Sequence, residues 1–504
     1  MNAQQLTDAV LELIRRTSCA LPPDVRNVLD IRHKLEEKGS RAEFAMDLVM
    51  RNISMACSSS LPLCQDTGLL TFYVKHPVQA DLVRFRRAVE EAVAVATGKG
   101  YLRQNSVDPL TGKNSGNNLG PGFPSFHFEQ HGSSTYEIQL VQKGGGCENM
   151  SAQYSLPCEI AGRRANRDLE GARLCVLDTV HRAQGKGCAP GFLGVCVGGD
   201  RAGGYEHAKR QLLRPLDDVN REPALAELEA RVLDEANRLE IGPMGFSGKL
   251  TLGSCKIGSL NRLPASFFVT VAYMCWAFRR RGVLLNREGE AVKWMHQVHG
   301  EFDKPSREPD SGPAFPEETV RLATPLDEEA VRGLKVGDVV LLNGTVFTGR
   351  DAVHKYLAGG GDLDALKNGV LYHCGPVILK EKEGWKALAA GPTTSIREEP
   401  FQAEVIKRFK VRAVIGKGGM GEKTLAALKE HGAVYLHAVG GAAQVYARCI
   451  KKVKNVYLEQ FGSPEAVWEL EVENFPVVVT MDSRGRSLHA QVEERSERVL
   501  KGLA

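Results

Sequence analysis

Apolar positions recur at helical spacing through the first sixty residues. From about Ala3 to Ser58, stretches such as VRNVLDIRHKLEEKGSRAEFAMDLVMRNISMAC predict helices, and the opening MNAQQLTDAVLELIRRTS is amphipathic. Between Leu61 and about Gly199 the pattern changes to short apolar runs, TFYVKH and YEIQLVQ among them, separated by glycine-rich loops. That alternation predicts mixed sheet and helix. ALAELEARVLDEANRLEIG returns to an apolar stripe at helical spacing and predicts a scaffold helix. The longest apolar run, LPASFFVTVAYMCWAF from Leu263 to Phe278, is too short to span a bilayer comfortably. It reads as a buried strand or helix closed by Arg279, Arg280 and Arg281.

Asp303 to Glu318, DKPSREPDSGPAFPEE, carries four prolines and no apolar period, which marks it as a linker. Beyond it, LKVGDVVLLNGTVFTGRD, GVLYHCGPVI and VRAVIGKGG read as strands that end in glycine turns, with helices between them. The expected class is therefore α/β in the broad sense, a mixed α+β chain in two parts. The expected parts are 1–302, a linker at 303–320, and 321–504. No internal repeat is evident.

Composition narrows the function. A chain of 504 residues suggests two to four domains. Its 43% apolar and 25% charged residues are ordinary for soluble globular protein. A net charge of +4, spread without blocks of one sign, gives no case for nucleic acid or an anionic membrane as partner. The N-terminal stretch has neither a signal peptide's apolar core nor the acid-free composition of a transit peptide. Twelve cysteines without any C-x-x-C pair disfavour zinc ribbons and thioredoxin-like chemistry, and point to a reducing, cytoplasmic setting.

The stretch VRAVIGKGGMGEKTLAALKEHG imitates a nucleotide site. A P-loop needs Lys directly after its last glycine, and here Glu422 separates Gly421 from Lys423. A dinucleotide site needs an acid at the end of the next strand, and AVYLHAV ends in Gly440 and Gly441 instead. A nucleotide-dependent oxidoreductase is thereby disfavoured. What remains is a strand, a tight turn and a helix N-terminus, a geometry that suits a small anion or serves only as a connection.

Two further groups of residues bear chemistry. Cys64 in LPLCQDTG, Cys188 in KGCAPGF and Cys275 in AYMCWAF lie beside glycine or polar residues, or at the end of the apolar run. Three such thiolates can hold a cubane cluster through three irons and leave the fourth open, although composition alone does not choose them from twelve. Past the linker, TGRDAVHK around Arg350, GPTTSIR around Thr393 and Arg397, and GKGG with Lys417 place three basic turns at strand ends. Arginine suits bidentate clamping of carboxylates, so a shared anionic substrate is expected.

LPLCQDTG, YLRQNSVDPLTGKNSGNN, KGGGCENMS, GPMGFSGK, TGRDAVHK and AGPTTSIR, in this order, resemble the class I iron-sulfur fumarate hydratases and their tartrate dehydratase relatives. The resemblance covers nearly the whole chain, with the alpha and beta parts fused. It implies a [4Fe-4S] cluster on Cys64, Cys188 and Cys275, one per chain, with one iron not ligated by Cys. Gln65 and Asp66 then match substrate-pocket residues, Arg103 a carboxylate contact, and Gly145 and Gly146 the glycine loop lining the pocket. Arg350, Arg397 and Lys417 match substrate-binding basic residues, and Thr393 the catalytic base, with Asp66 an acid or relay. The implied fold is a cluster-binding domain with a swivelling β/β/α domain closing over it, in a homodimer. The implied activity is reversible hydration of fumarate to L-malate, with tartrate dehydration and mesaconate hydration as alternatives. A non-catalytic iron-sulfur regulator would leave the basic turns without a purpose.

Two positions depart from the pattern. Leu263 stands where an RHPAS-like segment offers histidine, which raises the expectation of a substrate bearing a methyl group. The glycine loop reads GGGC, which puts Cys147 near the pocket as a further thiol.

Overall fold

The computed structural model of the chain describes residues 2–298, 302, 315–316, 318–382 and 384–504. Most of the expected linker, 303–314 and 317, lies outside the described residues. The helical reading of the N-terminus holds, with helices at Ala3–Cys19, Pro23–His33 and Arg41–Ser59. The first and third begin where a side chain takes up an orphan amide, Asn2 from Gln4 N and Ser40 from Glu43 N. The second begins on Pro23, whose missing N–H costs nothing there. Leu6, Val10, Leu13 and Ile14 form the buried stripe of the first helix, packed with Phe85, Val89 and Val93 of the helix Leu82–Gly98. The predicted scaffold helix runs from Pro223 to Arg238.

Two sheets of the first part set the site. A five-stranded sheet runs in the order Ala291–Met295, Arg279–Leu285, Tyr136–Lys143, Leu69–Pro77, Ser125–His131. Tyr136–Lys143 is antiparallel to both neighbours, with Leu69 opposite Lys143 and Arg279 opposite Gln142. One strand therefore ends where the other two begin, and the segments at Cys64–Gly68, Gly144–Gly146 and Cys275–Phe278 leave the same edge. A four-stranded sheet runs Ala152–Ser155, Phe268–Met274, Gly191–Gly198, Leu252–Leu260. Phe192 lies opposite Met274 across an antiparallel pair, so Cys188 precedes one strand at the point where Cys275 follows the other.

The second part is built on a seven-stranded sheet: Val320–Ala323, Val339–Thr348, Val370–Tyr372, Ala413–Gly416, Val434–His437, Val467–Met481, Ile450–Tyr457. Val339–Thr348 pairs again with Val467–Met481, closing five of these strands into a ring. Val339–Thr348, Val370–Tyr372, Ala413–Gly416 and Val434–His437 are parallel. Their carboxyl ends deliver Arg350, His373, Lys417 and Gly440 to one side, where ligands of open α/β sheets bind. The chain is thus mixed α+β in two regions, as its patterning predicts.

The two regions are joined by buried polar contacts. Trp276 Nε1 donates to the Gly440 carbonyl at 2.7 Å, and Asn52 Oδ1 accepts from Gln444 N at 2.7 Å. The last helix, Leu488–Leu503, returns to the first region, where Gln184 Nε2 donates to Ser496 Oγ at 2.9 Å.

Candidate active site

The converging strand ends from both regions enclose a cavity of about 560 Å³. Cys64, Cys188, Cys275 and Cys147 line it with Gln65, Asp66, Arg103, the glycines 144–146, Arg350, Thr393, Arg397 and Lys417. Residues expected from eight separate segments therefore share one space. Cys188 itself sits in the left-handed region at φ 51°, a conformation few side chains adopt and one often kept at functional positions. A Cβ on Gly440 would collide with the Cys188 sulfur and with the Lys417 stem. Only glycine lets the second region's loop approach this closely.

Charge holds the site together. Basic lining residues outnumber the acidic ones, Asp66 and Glu148. Burial works against ionising Asp66, but Arg103, Arg279 and Lys417 outweigh it and hold its carboxyl below the usual range. Arg103 Nη2 lies 3.4 Å from Asp66 Oδ1, and Arg103 Nη1 donates across the regions to the Gly375 carbonyl at 3.0 Å. Lys417 Nζ donates to Cys188 Sγ at 2.7 Å. Burial opposes the ammonium charge, yet the fields of Cys188, Cys275 and Cys64 hold it above the ordinary lysine value. Buried Cys64 and Cys188 are pushed upward by desolvation, an effect Arg279 and Lys417 oppose in turn. Cys147 is drawn downward by its hydrogen bond to Cys275, with Lys143 and Lys417 adding to the effect.

This donor set fits an iron-sulfur cubane. Cys275 lies within electrostatic reach of Cys188 and Cys64, and one lysine reaches all three. Among the described residues, no three His, Cys, Asp or Glu side chains converge on a point that would hold a single metal ion. A cubane spreads its thiolates over separate irons, so that closer convergence is not what it requires.

The second region supplies the anion-binding wall. Arg397 Nη2 donates to Thr393 Oγ1 at 3.1 Å and stands 3.1 Å from Asp351. Arg350 pairs with Glu465 at 3.0 Å, and its stem occupies space that a side chain at Gly375 would take. The cation beside Thr393 is thus Arg397. Lys417 lies near Gly146 and is joined to Thr394 by a parallel bridge. Gln65, almost fully buried, donates to the Pro392 carbonyl at 2.9 Å and ties the two walls together.

The turn GKGGMG has two faces. Gly418 and Gly419 take φ near +77° and pack against Lys186 and His489, where side chains would clash. Outside the cavity lining, Glu399 accepts from Gly421 N at 2.8 Å, Thr424 N at 3.2 Å and Thr424 Oγ1 at 2.6 Å. The helix N-terminus that imitates a phosphate site is therefore filled by the chain's own carboxylate.

The sequence pattern leaves Arg279 and Thr394 out of the site, though both line the cavity. Arg279 donates to the Asp66 carbonyl at 2.6 Å, while its Nε and Nη1 are buried without a partner among the described residues. Arg279, Arg280 and Arg281 form the buried start of a strand, so they do more than close the apolar run. Leu263 lies outside the site. It is 73% exposed and does not line the cavity, because the strand Phe268–Met274 carries the chain about 20 Å before it reaches Cys275. Within one chain, therefore, Leu263 makes no contact with the cavity.

Residues 7–283 match the family model "Fumarate hydratase (Fumerase)", and residues 289–492 match "Fumarase C-terminus". A "Putative fumarate hydratase class I" of Geobacillus stearothermophilus is 50% identical over 500 residues, 98% of this chain and 97% of that protein. In Methanocaldococcus jannaschii, a "Putative L(+)-tartrate dehydratase subunit beta" is 42% identical over 34% of this chain and 91% of its own length. The "Putative L(+)-tartrate dehydratase subunit alpha" from the same organism is 32% identical over 55% of this chain and 96% of its own length. Among the described residues, no helix is long and apolar enough to cross a membrane. Matched over most of its length by two consecutive models and over 98% of it by a relative, the chain belongs to the class I fumarate hydratase and tartrate dehydratase family and is a hydro-lyase.

Proposed function

We propose that the chain hydrates fumarate reversibly to L-malate, using a [4Fe-4S] cluster held by Cys64, Cys188 and Cys275. The observation that carries this reading is the meeting of those three cysteines with Arg103, Arg350, Arg397 and Lys417 in one cavity. When bound, the cluster's iron without a Cys ligand would act as a Lewis acid toward the hydroxyl of the 2-hydroxy acid.

The chain's residues then divide the remaining work. Arg103, Arg350 and Arg397 neutralise the substrate carboxylates, whose charge would otherwise oppose carbanion character at the neighbouring carbon. In the dehydration direction Thr393 takes the proton from that carbon at Oγ1. The alkoxide required for this is stabilised by Arg397 Nη2, 3.1 Å away. In the hydration direction the same hydroxyl returns the proton. Asp66, held ionised beside Gly146 N–H, relays a proton on the cluster side of the cavity. Lys417, whose Nζ meets Cys188 Sγ at 2.7 Å, would supply positive charge beside the cysteines that hold the cluster. Gln65, Gly145 and Gly146 line the substrate's path without adding charge.

In this reading 1–302 binds the cluster, 303–320 links the parts, and 321–504 carries the swivelling substrate wall, with the chain assembled as a homodimer. The test is anaerobic purification, iron and sulfide determination, and turnover with fumarate, mesaconate and each tartrate isomer. Fumarate is expected to give the highest kcat/KM. A tartrate isomer turned over faster would move the substrate assignment, and an iron-free protein inactive after reconstitution would overturn the cluster mechanism.

A further inference from the structure

Behind Arg397 lies a polar cluster that the proposed chemistry does not use. Glu398 is fully buried, and neither of its carboxyl oxygens receives a hydrogen bond among the described residues. Nε of Arg350 and Nε of Arg397 are likewise buried without partners there. The closest cationic contact of Glu398 is Arg397 Nη2 at 3.8 Å, beyond hydrogen-bond length. That guanidinium nitrogen is engaged elsewhere, with Asp351 and Thr393 Oγ1.

The groups facing Glu398 are few. Arg397 precedes it, Arg350 and Asp351 face it from the start of the helix Asp351–Ala358, and Tyr435 of the strand Val434–His437 lies within its field, a phenol that burial keeps neutral. The side-chain amide of Gln402, one turn on, hydrogen-bonds with His354 Nε2 at 3.0 Å and His373 Nε2 at 2.8 Å. Burial lowers both histidines, so they bring no positive charge to the cluster. An ionised carboxylate here would be desolvated with no side-chain donor on it, an arrangement that proteins avoid by keeping the proton.

Resting on the dicarboxylate reading of the cavity, we propose that Glu398 is a positioning residue. It stands as a neutral acid behind Arg397, leaving that guanidinium to Thr393 and the substrate carboxylate. Burial pushes its carboxyl up to about 8, against the opposing pull of Arg397, so the acid is mostly neutral at pH 7 and charges as pH rises through about 8. Once charged, Glu398 draws Arg397 backward, away from Thr393 and substrate.

Two measurements on the anaerobically purified holoenzyme test this. Infrared difference spectroscopy without substrate should show a protonated-carboxyl band at pH 7 that disappears as pH rises through about 8 and is absent from Glu398→Gln. Steady-state kinetics with fumarate should show KM rising about tenfold per pH unit above that point in the wild type. In Glu398→Gln, which cannot ionise, KM should stay flat over the same range. No band at pH 7, a wild-type KM flat through the band's titration, or the same alkaline rise in Glu398→Gln would each overturn the proposal. An inactive protein that still shows the titrating band would instead fail the fumarate reading alone.

Discussion

Two glycine-rich turns meet near the cavity, each with a carboxylate of the chain at its amides, and their roles differ. At Gly144–Gly146 the carboxylate is Asp66, which accepts from Gly146 N–H and stands among Arg103, Arg279 and Lys417. At Gly416–Gly421 it is Glu399, bound by Gly421 and Thr424 and absent from the cavity lining. The glycine spacing in the second turn is the one that imitates a nucleotide site, yet its helix N-terminus is closed by Glu399. Chemistry at that turn comes from Lys417, which reaches Cys188 in the cavity. Glycines permit the close approach; the charges that surround each carboxylate decide whether it serves the substrate or the fold.

The comparison can be broken at four points. Lys417→Met should lower kcat about 10³-fold, since it removes a preorganised charge from the reacting centre. Iron content should be retained, and a variant that loses its iron would make Lys417 part of the cluster's support instead. Asp66→Asn should lower kcat about 10²-fold with near-native thermal stability, as expected for a proton relay of preserved shape. A stability loss with intact kcat would place Asp66 with Glu399 as a structural partner.

Glu399→Gln weakens the acceptor at a helix N-terminus. It should cost about 1 kcal/mol in chemical denaturation while leaving KM for fumarate within about twofold. A large KM change would reopen that turn as a substrate site. Leu263→His should change nothing in the ratio of fumarate to mesaconate turnover, because the position is exposed outside the cavity. A shifted ratio would bring its loop back into the site.

Much of this was legible in the chain. Helical spacing marks Ala3–Cys19 and Pro223–Arg238, and strand-to-turn patterns mark the carboxyl ends that carry Arg350 and Lys417. What the pattern withholds is pairing between distant strands. That Leu69 lies opposite Lys143, and Phe192 opposite Met274, brings Cys64, Cys188 and Cys275 together, and no local spacing encodes it. The same register buries Arg279 next to Asp66, where a run of three arginines reads more naturally as a surface. Leu263 shows the converse error. Nearness in sequence to Cys275 suggests nearness in space, and one intervening strand removes it. Glu398 and Glu399 sit side by side in the chain with different fates, one buried without a donor and the other capping a helix.

The central claim is that Cys64, Cys188 and Cys275 present a cluster with an open iron to a dicarboxylate held by the arginine wall. Electron spin resonance of the anaerobically purified, dithionite-reduced protein, recorded with and without malate, tests it most directly. The account predicts a reduced-cluster signal that malate shifts and that Cys64→Ala abolishes. A signal unmoved by saturating malate, or one that survives in Cys64→Ala, would contradict it.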